Sequence, residues 1–477
     1  MTLVYGLWPN TTQTLTDKKT TMKLLKWLGF DPEKHSVRTE ILAGLTTFLT
    51  MAYILAVNPN VFDALGGEMS KANGAVFTAT ALAAILGTLA MAFIAKKPFA
   101  LAPGMGVNTF FVYTVCIAMG HSWQFALTAV FLEGIVFIIL TLTNVRKWIV
   151  DALPLSLKYA VGAGIGLFIA FLGFQNAGIV GHGPSFVALG FKLPDGSFNG
   201  TALLGILGLI VTGGFVMKGV RGGILLGIIV TTALGLLPIY NMMGADGTVS
   251  RVALTSLNGI VSVPPSIKDI AFQFTWSELT SAKGIIDITV ALFTFLFLDI
   301  FNTMGTVIGV SEKAGYVDEK GNIDGINECF MADSIGTICG AALGTSTTTT
   351  FVESAAGVAD GGRTGLTAFS TAAFFAIALL FAPLFLAIPA AATAPALIVV
   401  GMMMMTPVVK INWESPLEAL PAFITMVVMP FCFSISDGIL IGLISYVLLN
   451  ALCGKFRNIT PTMWVLAILF VLRYIFI

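Results

Sequence analysis

Four carboxylates stand within runs of chain that are otherwise apolar: Glu133, Asp299, Asp333 and Glu353. A charge at the centre of a membrane helix costs about 2.5–3.5 kcal/mol on insertion scales, so each of them implies a partner, a proton or a ligand. Phe295, Asp299, Asn302 and Thr306 follow one another at i, i+4, i+7 and i+11, which puts a ring, a carboxylate, an amide and a hydroxyl on one helical face. Such a face suits a flat polar ligand; the alternative is an interhelical hydrogen-bond seam, which does not require an acid. Glu353 closes Thr350-Phe351-Val352-Glu353, a capping-box pattern in which it would merely satisfy helix amides. It also follows Gly344-Thr345-Ser346-Thr347-Thr348-Thr349-Thr350, a stretch that must interrupt a span and so would bring N–H donors, a helix start and a carboxylate together. Asn108 holds the matching place after Pro103-Gly104-Met105-Gly106. It reads either as a helix cap or as a group able to donate and accept at the edge of a heterocycle.

Phe295 and Phe351 are the rings placed to stack on such a ligand. The histidines, His35, His121 and His182, fall in the tail and in loops, so a proton inside the membrane must ride on a carboxylate. Asp299, Glu353 and Asp333 are the candidates, with Glu133 open to either a relay or a packing role. The five cysteines have no metal-like spacing and read as small apolar residues. There is no Walker A sequence and no HExxH, which argues against primary pumping and metallo-hydrolysis, and no metal or cofactor is expected. Gly162, Gly164 and Gly166 alternate inside a lipid-length run and read as close helix packing rather than as a nucleotide fingerprint.

The elements that must position these residues are membrane helices. Of 477 residues, 56% are apolar or aromatic and only 10% charged, and the mean hydropathy is +0.92. A soluble domain would carry about 25% charge. Acidic and basic residues balance at 25 each, leaving no field to recruit nucleic acid. Apolar runs predict spans at 41–57, 75–95, 99–119, 122–142, 157–179, 202–216 and 223–239. A second seven follow at 285–310, 330–342, 344–358, 365–388, 391–407, 417–433 and 438–452. The chain divides accordingly into a tail (1–38), a first repeat (39–240), an external loop (241–284), a second repeat (285–453) and a C-terminal segment (454–477) that is either a further span or interfacial. With the N-terminal tail in the cytoplasm, inner connections receive thirteen Lys or Arg, among them Lys96, Arg146, Arg221 and Arg363, and outer ones receive five. The fold class expected is all-α and polytopic. An odd number of spans per half makes the repeats inverted, with the third and tenth spans interrupted at corresponding places, the sequence pattern of a secondary transporter's site.

The runs 43–53 and 102–111, Phe297 to Thr306, and Gly344 to Ser354 with Gly361-Gly362-Arg363-Thr364-Gly365 resemble the AzgA-like branch of the nucleobase-cation symporters. The likeness extends from about Val37 to the C-terminus. It implies core and gate domains, proton-driven uptake of purine nucleobases through the cell membrane, and often a homodimer. It also implies that Asn108, Asp299 and Glu353 bind the substrate, with Asn302 standing where a second acid is usual. The threonine run favours guanine and hypoxanthine, with adenine the alternative. An anion transporter on a similar scaffold would want basic side chains at the broken spans, and there are none there.

Overall fold

The computed structural model describes residues 25–143, 154–181, 187–193, 195–243, 249–257, 259–280, 282–316, 323 and 325–476. The tail lysines up to Lys23 and the loop residues Arg146, Lys147, His182 and Lys320 lie outside these residues. Among the described residues, eight helices are long and apolar enough to cross a membrane by length and composition, and four shorter apolar ones accompany them. Strand structure among the described residues is confined to short two-stranded pairings.

The first span is two helices, α1 (Val37–Met51) and α2 (Ile54–Asp63), stepped at Ala52-Tyr53. α3 (Asn73–Ala90) and α5 (Trp123–Thr143) flank the interrupted third span, which is β1 (Leu101–Pro103), α4 (Met105–Thr109) and wider π-type turns to Ala118. α6 (Leu155–Asn176), α7 (Gly200–Met217) and α8 (Gly223–Gly235) complete the first series. The second series opens with α9 (Ala282–Ala314) and α10 (Ile326–Leu343). The interrupted tenth span follows as β2 (Thr348–Thr350) and α11 (Ser354–Ala359), then α12 (Gly365–Ala378), α13 (Ala390–Met404), α14 (Pro416–Phe431) and α15 (Ile435–Leu452). The C-terminal segment is a single helix, α16 (Pro461–Phe476), packed on α15. Helical threonines return their hydroxyls to the carbonyl four residues back, as at Thr80, Thr128, Thr141, Thr294 and Thr425. In a water-free surrounding that is the cheapest way to satisfy them.

Packing sorts these elements into two groups. α10 lies against α3 and α5, α12 against α1 and α3, and α9 against α5; α6 lies against α13 and α14, and α7 against α8 and α13. The first four spans of each series therefore form a core, and the last three of each form a gate. The gate closes on glycine: an added Cβ at Gly166 would stand 2.5 Å from the Gly401 carbonyl oxygen, and one at Gly164 would meet Met429 at 2.6 Å. Gly162 would meet nothing within 4 Å, so only two of the three alternating glycines serve close approach. Core and gate are also joined by an ion pair, Arg221 before α8 with Asp360 after α11 at 2.5 Å, and Thr46 donates to the same carboxylate at 2.7 Å.

At the start of α9 a second polar knot ties loops to the core. Each His121 ring nitrogen faces a carboxylate, Glu278 at 3.0 Å and Asp287 at 2.9 Å, and the ring stacks on Phe125 at 4.0 Å. Asp287 is buried. Replacing His121 with Leu removes its partner, and a lost hydrogen bond to a charged group costs about 1.5–3 kcal/mol. The melting temperature of the detergent-solubilised protein is expected to fall; an unchanged value would mean that the knot contributes nothing.

Candidate functional site

Pro103 has no N–H to give a helix and Gly104 follows it, while Gly344, at φ 94°, ends α10 in the left-handed region. Between these breakers β-branched threonines favour extended chain. β1 and β2 consequently pair antiparallel inside the core, with Leu101 opposite Thr350, Ala102 opposite Thr349 and Pro103 opposite Thr348. Phe351 N–H to Ala100 at 2.9 Å and Gly104 N–H to Thr347 at 3.1 Å extend the ladder. Only glycine fits at 104, because a Cβ would stand 2.4 Å from Thr349 Cγ2. The paired strands satisfy backbone groups that lipid could not, and each delivers a helix start to the crossing.

Asn108 is buried on α4, where its amide donates to Pro103 O at 3.4 Å and its carbonyl accepts from the Ser346 hydroxyl. Asn302 of α9 comes to the same place: its Nδ2 is 4.0 Å from the Cβ position of Gly106. Gly305, one turn further along α9, has nothing within 4 Å of its Cβ position, so the helix face beside Asn302 is open. Glu353 stands at the start of α11, yet its side chain makes no capping hydrogen bond. The capping-box alternative does not describe it. Its Oε1 instead accepts from the Tyr53 hydroxyl at 2.6 Å.

The other three acids, all fully buried, gather beside β2. Glu133 of α5, Asp299 of α9 and Asp333 of α10 bring their carboxyls within hydrogen-bonding reach, Asp299 touching both others. Threonine hydroxyls feed them: Thr347 to Glu133 at 3.1 Å, Thr337 to Asp299 at 3.3 Å, and Thr303 and Thr350 to Asp333 at 2.8 and 3.2 Å. The four intramembrane acids are thus three and one. No group of described residues has the arrangement of a metal site.

The face expected on α9 is therefore divided. Asp299 turns to α5 and α10, Asn302 to α4, and Phe295 is fully buried edge-on against Phe110 at 4.7 Å, as core. Phe351 is buried with its amide in the ladder. Tyr53, Ser346 and Asn58, which donates to Thr80 and Thr345 at 2.7 and 3.0 Å, were not singled out from the sequence. A tyrosine hydroxyl and an asparagine amide in apolar runs each need a buried partner, and that need was the available signal. A separate cavity of about 450 Å³, lined by Gln175, Asn199 and Phe433 among others, involves none of the candidate residues.

Comparison with known proteins gives the family. The sequence model of the Permease family, Xan_ur_permease, matches residues 38–441. The chain belongs to the Permease family. This corrects the branch read from the motifs: the match is to that family, not to the AzgA-like branch. The guanine/hypoxanthine permease PbuG of Bacillus subtilis is 40% identical over 94% of this chain and 98% of its own. The adenine permease AdeP of Escherichia coli is 39% identical, covering 93% and 94%. Among solved structures, the murine anion transporter Slc26a9 in its inward-facing state aligns at a TM-score of 0.62 with 12% identity, over 95% of this chain and 73% of that one. The permease is thus a multi-pass membrane protein of the inverted-repeat, core-and-gate type, and a transporter rather than an enzyme.

Proposed function

We propose that the permease imports purine nucleobases together with protons by alternating access. The substrate lies at the crossing of the broken spans, against Asn302. The observation that carries this reading is the pairing of β1 with β2, which brings two helix starts together with Asn108 on one and Glu353 at the head of the other. A carboxylate accepting paired N–H groups from one purine edge, with an asparagine amide on the other, is complementary to a flat heterocycle, and its charge opposes the anion that the two helix starts alone would favour. The likeness to PbuG and AdeP supports a purine; their identities of 40% and 39% do not separate guanine and hypoxanthine from adenine. The threonine run favours guanine and hypoxanthine. The N-terminus lies in the cytoplasm on this reading, supported by the distribution of Lys and Arg. Phe295 takes no stacking role here, being packed edge-on against Phe110, which leaves Phe351 as the ring to stack on the purine.

The test is uptake of labelled hypoxanthine by cells without their own purine carriers, with and without a protonophore. Uptake that collapses with the protonophore and is competed by guanine is the expected result. Competition by adenine alone would change the substrate, and no purine uptake from inserted protein would overturn the reading.

A further inference from the structure

We infer that Glu133, Asp299 and Asp333 form the permease's proton site, distinct from the position of the substrate, and that Ser346 and Thr347 connect the two. The inference rests on the proton-symport reading and names where the proton sits. Three fully buried acids from three helices meet with no Lys, Arg or His of the described residues paired to any of them. Carried as three carboxylates, they would be an uncompensated charge in a medium that penalises even one. A hydrogen bond between two carboxyl groups requires a proton on one of them.

Two atoms show where it belongs. Glu133 Oε1 and Asp299 Oδ1 are buried and have no donor in the structure, although their carboxyls are in reach of each other. A proton on either carboxyl supplies a donor that the unprotonated pair lacks. A proton rather than a metal cation fits the cluster, because no group of acidic, histidine or cysteine side chains among the described residues is arranged to hold a metal ion.

The link to the substrate is two adjacent residues. Ser346 donates to the Asn108 carbonyl, and Thr347 donates to Glu133. A purine N–H that takes the Asn108 carbonyl displaces Ser346, and the displaced strand carries Thr347 with it. Glu133 then loses a donor that its ionised form needs more than its protonated form does. Substrate and proton accordingly favour each other's presence, and the proton leaves when the purine has gone and Thr347 returns.

The experiment uses the purified permease in liposomes with an inward proton gradient of about one pH unit, which supports roughly tenfold accumulation at one proton per purine. Accumulation of labelled hypoxanthine and the pH profile of its equilibrium exchange are measured for wild type and Glu133→Gln, in sodium and in choline. The expected result is accumulation by wild type in either salt. Glu133→Gln should fall from about tenfold to about onefold, with a flattened exchange profile. A merely structural Glu133 would lower the amplitude of exchange and leave the shape of its profile, which overturns the inference while proton symport stands. Wild-type accumulation indifferent to the gradient, or dependent on sodium, overturns symport itself. Asp333→Asn is read by the same two measurements if Glu133→Gln does not yield folded protein.

Discussion

Glu353→Gln is expected to lower purine uptake about 100-fold, with the protein still inserted in the membrane. The carboxylate at the head of α11 is positioned, not free: Tyr53 holds Oε1 at 2.6 Å, and the step between α1 and α2 is what brings that ring across. An amide of the same size can no longer accept two N–H groups from one purine edge. Hydrogen bonds to a charged group are worth about 1.5–3 kcal/mol each, and each 1.4 kcal/mol is tenfold, so weakening two reaches about two orders of magnitude. Tyr53→Phe removes only the positioning bond and should cost about tenfold, mainly in apparent affinity. Initial-rate uptake over a range of hypoxanthine concentrations, normalised to membrane-inserted protein, separates the two. Full uptake by Glu353→Gln would remove this residue from the site.

Gly401→Val is expected to abolish uptake by a different route, loss of the assembled gate. The backbones of α6 and α13 touch there: a Cβ on Gly401 would lie 2.4 Å from the Gly166 carbonyl oxygen and 2.7 Å from the Ala170 nitrogen. Overpacking costs about 1–3 kcal/mol where side chains can yield, and more where the obstacle is backbone on both sides. The expected signs are aggregation on size-exclusion chromatography in detergent and a lowered melting temperature. Gly162→Ala, on the facing helix α6 with open space around its Cβ position, is the control that should behave as wild type.

The positions of the spans, the two interruptions and the four acids were legible in the sequence because hydropathy and chain breakers act locally. Pro103-Gly104 and Gly344 cannot sit in a continuous helix whatever surrounds them. How the acids sort was not legible. Asp299 and Asn302 share a face at helical spacing, but three residues turn a helix by 300°, enough to aim one at α5 and α10 and the other at α4. Phe295 looked available for stacking until Phe110, 185 positions earlier, was found edge-on against it. The capping pattern around Glu353 was a local signal overridden by a distant one, since Tyr53 is 300 residues away in the chain.

The pairing of β1 with β2 also sets the order in which the molecule can be made. Leu101–Pro103 leave the ribosome about 250 residues ahead of Thr348–Thr350, and at about 5–20 residues per second that interval is on the order of ten to fifty seconds. Throughout it the first half holds an unpaired strand at membrane depth, where exposed backbone is not tolerated in lipid. The first repeat is therefore completed only when its inverted twin arrives.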